Sequence, residues 1–298
     1  MKRVPAIVAI AAMSVVIAAV LTAAEPGQFQ IQVAVDLVNV SFSATDRNGR
    51  MVSGLTAQDF IIEEDGKRQQ VALFSREREL PLTLALLVDI SPSVAPVFEE
   101  EKRTASAFLE SVLGKKDLAL VISFDRDATL VQDYTEDVPT LTRAVNRLQL
   151  SRNGTSLFDA VYLASTEKLA REAGRKAIVV LSDGEDSTSE YDLGKALIAA
   201  HRSDVVVYSI SNSANSRTLR TMSEETGGAF FRISRAGDYE KIFQQISLEL
   251  RTQYSLGYHS NNPARDGKFR QIKITSRNAN LLVRARKGYY APNEASGR

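Results

Sequence analysis

From Ile31 to about Glu79 apolar and polar residues alternate, the pattern of strands with one buried face. Ile31, Val33, Val35 and Leu37 set one phase, and Val38, Val40, Phe42 and Ala44 carry it on after a slip of one residue. Such a slip predicts a bulge or bend near Leu37-Val38. Asn48-Gly49 and Asp65-Gly66 have the composition of tight turns, and Phe60–Ile62 with Val71–Phe74 flank the second as a hairpin. From Leu82 to about Arg251 the period changes. Continuous apolar runs at Leu84–Val88, Leu118–Phe124, Ala177–Leu181 and Val205–Ile210 read as strands buried on both faces, with an edge strand at Ala128–Gln132. Helical periodicity falls at Val97–Leu113, Asp137–Leu148, Leu157–Arg171, Tyr191–Arg202, Ser216–Glu225 and Tyr239–Leu250, with a short strand at Ala229–Arg232. This alternation predicts an α/β domain, a doubly wound and mainly parallel sheet covered by helices on both sides.

Strand patterning returns at Tyr254–Tyr258, Phe269–Thr275 and Leu281–Ala285. Neither β zone is long enough to bury a core by itself. The expectation is that they pair into one β-sandwich with the α/β domain inserted between them; two separate β arms packed on that domain are the alternative. The boundaries are then 1–24 for a signal segment, 25–80 and 252–298 for the two parts of the sandwich, and 81–251 for the α/β domain.

Lys2 and Arg3, the apolar run from about Val4 to Val20 and the small residues Thr22-Ala23-Ala24 compose an export signal. An uncleaved membrane anchor is the alternative, because the run is long, although its alanines make it weakly hydrophobic. The expected location is the periplasm or the exterior. The formal charge of +1 falls to −1 once Lys2 and Arg3 are removed, so nothing attracts nucleic acid or anionic lipid. The chain has no cysteine, which excludes a lipid-bearing amino terminus, and only two histidines, His201 and His259. Walker, Gly-x-Gly-x-x-Gly and Gly-x-Ser-x-Gly patterns are missing.

Five residues stand where an open parallel sheet binds ligands, beyond the carboxyl ends of its strands. Asp89-Ile90-Ser91-Pro92-Ser93 ends the first core strand, Ser182-Asp183-Gly184 ends a later one, and Asn153-Gly154-Thr155-Ser156 opens the helix near Leu157. Two carboxylates and three hydroxyls suit a hard divalent cation, and five such groups leave one position of an octahedron for an outside carboxylate. Each residue also has a plainer reading: Ser91 and Ser93 as helix caps, Asp183 as a turn residue with Gly184.

Asp-x-Ser-x-Ser after a buried strand, Gly-Thr before a later helix and Asp-Gly after a further strand resemble the metal ion-dependent adhesion site of von Willebrand factor A and integrin I domains. The resemblance spans roughly Leu82 to Leu250. With Val71–Phe74 and Arg286-Lys287-Gly288-Tyr289-Tyr290 in the flanking zones, the chain is similar to a bacterial family of exported von Willebrand A-related proteins. The resemblance implies a Rossmann-like fold and a metal held by Asp89, Ser91, Ser93, Thr155 and Asp183. The metal expected is Mg²⁺, with Mn²⁺ and Ca²⁺ as alternatives. The partner implied is a protein presenting Asp or Glu, and no reaction is catalysed. In relatives the last helix moves with affinity; here that helix is Tyr239–Leu250. Two other functions compete: an envelope component whose metal only stabilises the fold, and a metal-assisted hydrolase, disfavoured because no general base is in view. Glu185, Asp186 and Ser187 either support the site or form a solvated loop. Asp125 and Asp127 read as turn residues, Arg284–Lys287 as a solvated face, and Tyr289 and Tyr290 as packing on the sandwich.

Overall fold

The computed structural model describes residues 37–76, 80–213, 216–235 and 237–293. The export segment at 1–24 and the alternation from Ile31 to Val35, with the phase slip inferred from it, lie outside the described residues. Strands β1 (Leu37–Asp46), β2 (Phe60–Glu64), β3 (Lys67–Arg68) and β4 (Val71–Arg76) come first. Then come β5 (Leu82–Asp89), α1 (Phe98–Val112), β6 (Leu118–Phe124), β7 (Ala128–Thr135), α2 (Val138–Asn146) and α3 (Leu157–Leu163). They are followed by β8 (Arg175–Leu181), α4 (Leu193–Arg202), β9 (Val206–Ser211), α5 (Arg217–Thr226), β10 (Phe230–Arg232) and α6 (Asp238–Thr252). Strands β11 (Tyr254–His259), β12 (Phe269–Ser276), β13 (Leu281–Ala285) and β14 (Gly288–Tyr290) complete the order. The helix expected to run to Arg171 does so in three geometries: α3, a π turn over Ala164–Lys168 and a 3₁₀ turn over Leu169–Arg171.

The six-stranded sheet runs β10-β9-β8-β5-β6-β7, parallel throughout except for the antiparallel edge strand β7. All eight residues of the central strand β5 are buried, because helices cover both faces. Period 2 divides them. Leu84, Leu86 and Val88 face Phe108, Leu109, Phe243 and Ile246 of α1 and α6. Ala85 and Leu87 face Leu157 and Val161 of α3, Ala196 and Ala200 of α4, and Leu219 and Met222 of α5. Asp137 and Asp192 cap α2 and α4 by accepting the Thr140 and Lys195 amides. This is the expected doubly wound α/β fold.

The joint sandwich is also found. One sheet runs β13-β1-β11-β4 and the other β14-β12-β2-β3, so each mixes strands from both ends of the described chain. Val40, Phe42, Phe60, Ile62, Tyr254, Leu256, Ile272 and Ile274 fill the space between them. Phe42 meets Phe60 edge-on with ring centroids 4.8 Å apart.

Two expectations are corrected. Asp65 and Gly66, at φ 49° and 74°, do make a tight turn, but it joins β2 to the two-residue β3. Val71–Phe74 crosses to the opposite sheet, where it pairs with β11 and stacks Phe74 on Phe60 and Tyr254. Packing the Phe74 ring against the shared core outweighs extending a local hairpin. Nor is Arg284–Lys287 a solvated face. Arg284 pairs with the buried Glu249 of α6, and Arg286 bonds Asp204 at 2.8 Å and the Asn39 carbonyl at 2.6 Å. A planar guanidinium can satisfy such partners on two elements at once, so these arginines fasten the sandwich to the α/β part. Tyr289 packs on the sandwich core as expected, and Tyr290 lies edge-on to Phe269. Among the described residues no helix is long and apolar enough to cross a membrane.

Candidate metal centre

Strands β5 and β8 are parallel neighbours, with Val88 opposite Leu181. The next residues on each, Asp89 and Ser182, therefore lie side by side, and the Ser182 hydroxyl donates to Asp89 Oδ2 at 2.7 Å. Asp183 follows, and Gly184, at φ 88°, turns the chain away at once. A Cβ there would lie 3.0 Å from the Leu219 side chain, so both backbone and space favour glycine. Asp89 Oδ1 accepts the Ser91 amide at 2.9 Å, and the Ser91 and Ser93 hydroxyls stand 3.0 Å apart. Asp89, Ser91, Thr155 and Asp183 are buried, while Ser93 is exposed.

Thr155 is held from two sides. Its amide donates to the Ser187 hydroxyl at 3.0 Å, and its carbonyl accepts the Ser187 and Thr188 amides. Gly154 permits this approach, since a Cβ would stand 2.5 Å from Thr188 Cγ2. On the other side the Ser151 amide reaches the Ile90 carbonyl at 2.7 Å, next to Asp89. The Thr155 loop is thus tied both to the segment after Asp89 and to the segment after Asp183.

Asp125 reads from the sequence as a turn residue, and Asp186 and Ser187 as either supports of the site or a solvated loop; all three turn out to support it. Asp125 accepts from the Ser151 hydroxyl and from Asn153 Nδ2, and its carbonyl takes the Ser156 amide. Its partial burial would raise its pKa, but the bonds from Ser151 and Asn153 outweigh that and hold it low. Asp186 accepts the Phe158 amide at 3.0 Å at the start of α3, so Asp186 and Ser187 brace the Thr155 loop while Glu185 stays exposed.

A third buried carboxylate was missed. Glu101 of α1 is 1% exposed and accepts the Tyr239 hydroxyl of α6 at 2.7 Å. Burial, helped by the charges of Asp89 and Asp183 and opposed by the Tyr239 bond, pushes its pKa up to about 7. It hid within Glu99–Glu101, which reads as a solvated acidic helix start. Its spacing from Phe98, Ala105 and Phe108 was the available signal, because it puts Glu101 on the apolar face.

Burial likewise raises the Asp89 pKa, against hydrogen bonds from Ser91 and Ser182 and with help from the Asp183 charge. Among the described residues no lysine, arginine or histidine pairs with Asp89, Asp183 or Glu101. Buried charge without a partner is costly; a buried acid escapes that cost by keeping its proton or by meeting a cation. Among the described residues there is no group of three or more His, Cys, Asp or Glu placed to hold a metal. An ion here would depend on hydroxyls as well as carboxylates. The donor set fits a hard divalent cation: two acids and the Ser91, Ser93 and Thr155 hydroxyls, and next to Thr155 in sequence a buried Ser156 hydroxyl with no hydrogen-bond partner among the described residues.

The model of the von Willebrand factor type A domain matches residues 83–245. Among solved structures, BatB, a conserved hypothetical protein from Bacteroides thetaiotaomicron, is 19% identical with a TM-score of 0.50, and the match covers 57% of this chain and 100% of that one. Proximal thread matrix protein 1 of the mussel byssus, described with zinc occupying its MIDAS motif, is 18% identical with a TM-score of 0.52. That match covers 64% of this chain and 50% of the mussel protein. At these identities the likeness is one of fold. No curated protein matches the chain.

Proposed function

Because the chain belongs to the von Willebrand factor type A domain family, we propose that it is an exported, metal-dependent adhesion or protein-interaction module. Asp89, Ser91, Ser93, Thr155 and Asp183 would hold Mg²⁺, with Mn²⁺ and Ca²⁺ as alternatives, and a partner protein would supply an Asp or Glu carboxylate. The observation that carries this reading is the burial of Asp89 and Asp183 at adjacent strand ends with no basic side chain among the described residues paired to either. The hydroxyls Ser91, Ser93 and Thr155 add oxygen donors without adding charge, which keeps a bound cation electrophilic toward an outside anion. A bound ion supplies the positive charge that an incoming carboxylate meets. The protein's own part is to fix Asp89 through Ser91 and Ser182, Asp183 through the Glu185 amide, and the Thr155 loop through Asp125 and Ser187. Export is read from Lys2, Arg3 and the apolar run that follows.

Binding in place of catalysis is supported by the lack of a histidine at these strand ends: His201 lies in α4 against Phe269 and His259 ends β11. The test is a pull-down from envelope extract in Mg²⁺, repeated with chelator and with Asp89→Ala. Partner capture that needs both the metal and Asp89 supports the reading. Capture indifferent to both contradicts it, and hydrolysis lost with Asp89 would favour an enzyme.

A further inference from the structure

We propose that Glu101 is a working part of this cation site, accepting a hydrogen bond from a water on the bound ion, and that Tyr239 is its anchor. The inference rests on Asp89 and Asp183 being cation ligands and adds a residue outside the five-residue pattern. Glu101 is 1% exposed on α1, yet only one of its oxygens is satisfied. Oε1 takes the Tyr239 hydroxyl at 2.7 Å, while Oε2 is buried with no hydrogen-bond partner among the described residues. A buried carboxylate oxygen left this way needs a donor. The described residues supply none, and the charges that act on Glu101 most are those of the acids Asp89, Asp183 and Glu100. Like charges gathered in a buried place make sense around a cation.

Glu101 does not belong to a metal-holding cluster with the two aspartates, so direct ligation is not its part. A small divalent ion keeps several of its waters, and each bound water is a strengthened donor in search of an acceptor. The unsatisfied oxygen and the ion's water meet each other's need. Glu101 would then add a negative charge that tightens cation binding without occupying a coordination position. Tyr239 fixes the carboxylate by holding the other oxygen.

The test is calorimetric titration of the full chain with MnCl₂ and MgCl₂, for the wild type, Glu101→Gln, Tyr239→Phe and Asp89→Asn, with melting temperatures in cation and in chelator. Glu101→Gln keeps shape and an acceptor for Tyr239 but removes the charge. It is expected to weaken the cation roughly 10- to 100-fold, as loss of an outer partner of a metal site does. Its melting temperature in chelator is expected not to fall, because a crowd of like charges is relieved. Tyr239→Phe is expected to weaken the cation by a smaller factor, and it keeps the question open to test if Glu101→Gln fails to fold. Wild-type affinity in both Glu101→Gln and Tyr239→Phe, with binding still lost in Asp89→Asn, would overturn this inference alone. Equal melting losses with and without cation at unchanged affinity would overturn it too, as the mark of a purely structural role. Wild-type affinity in Asp89→Asn would overturn the reading of the whole site along with it.

Discussion

The sandwich and the strand ends of the α/β sheet each bury acids, and they treat them in opposite ways. Glu64 of β2 is 2% exposed and accepts three hydroxyls, from Tyr258 at 2.7 Å, Ser260 at 2.6 Å and Tyr289 at 3.0 Å. Burial and the Glu64 charge together raise the pKa of Tyr258 and push that of Tyr289 up to about 12, so both stay protonated donors. Asp89, Asp183 and Glu101 are buried to a similar degree, and yet among the described residues no basic side chain answers them and one Glu101 oxygen is left over. Glu64, which holds the sandwich together, is satisfied by its own chain. An acid kept for a ligand is left for that ligand to satisfy.

The comparison can be broken in order of effect. Asp89→Asn is expected to remove most of the melting-temperature rise that Mg²⁺ gives the wild type, a loss of at least roughly 100-fold in cation affinity, while leaving stability in chelator unchanged or higher. Glu64→Ala is expected to do the reverse. It leaves three hydroxyls without an acceptor and should cost about 2 kcal/mol in denaturant unfolding whether or not cation is present. Arg286→Ala, which loses its bonds to Asp204 and the Asn39 carbonyl, should cost about 1 kcal/mol by the same measurement, also without regard to cation.

The smallest effect is one of pH. The folded Glu101 holds its proton up to about pH 7, above the ordinary 4.5, so its contribution to cation-free stability is complete below about 4.5 and is lost as pH rises through 7. In chelator the wild type should therefore lose melting temperature relative to Glu101→Gln between those values. A flat difference would put Glu101 in a less buried setting than its contacts describe.

Much of this was legible in the sequence. Apolar runs such as Leu84–Val88 and Ala177–Leu181 marked doubly covered strands because burial on both faces leaves no polar position to alternate. The polar residues that follow those runs, Asp89 in one and Ser182-Asp183 in the other, marked the sheet edge at once. What stayed hidden depended on partners far along the chain. Val71–Phe74 lies beside a turn, and only the rings of Phe60 and Tyr254 draw it to the opposite sheet. Arg284 and Arg286 read as solvated until Glu249 and Asp204, from other elements, stand next to them. Glu101 was masked by the acids before it, and Ser182 by its aspartate neighbour. Asp125 looked like a turn because its partners Ser151 and Asn153 come after a whole strand and helix.

The most direct test is the stoichiometry of Mn²⁺ on the purified chain, read by electron paramagnetic resonance of free Mn²⁺, for the wild type and for Asp89→Asn. One ion bound per wild-type chain and none per variant chain is the predicted result. No ion bound by the wild type, or the same ion retained when Asp89 is gone, would contradict the claim that these buried acids wait for a cation.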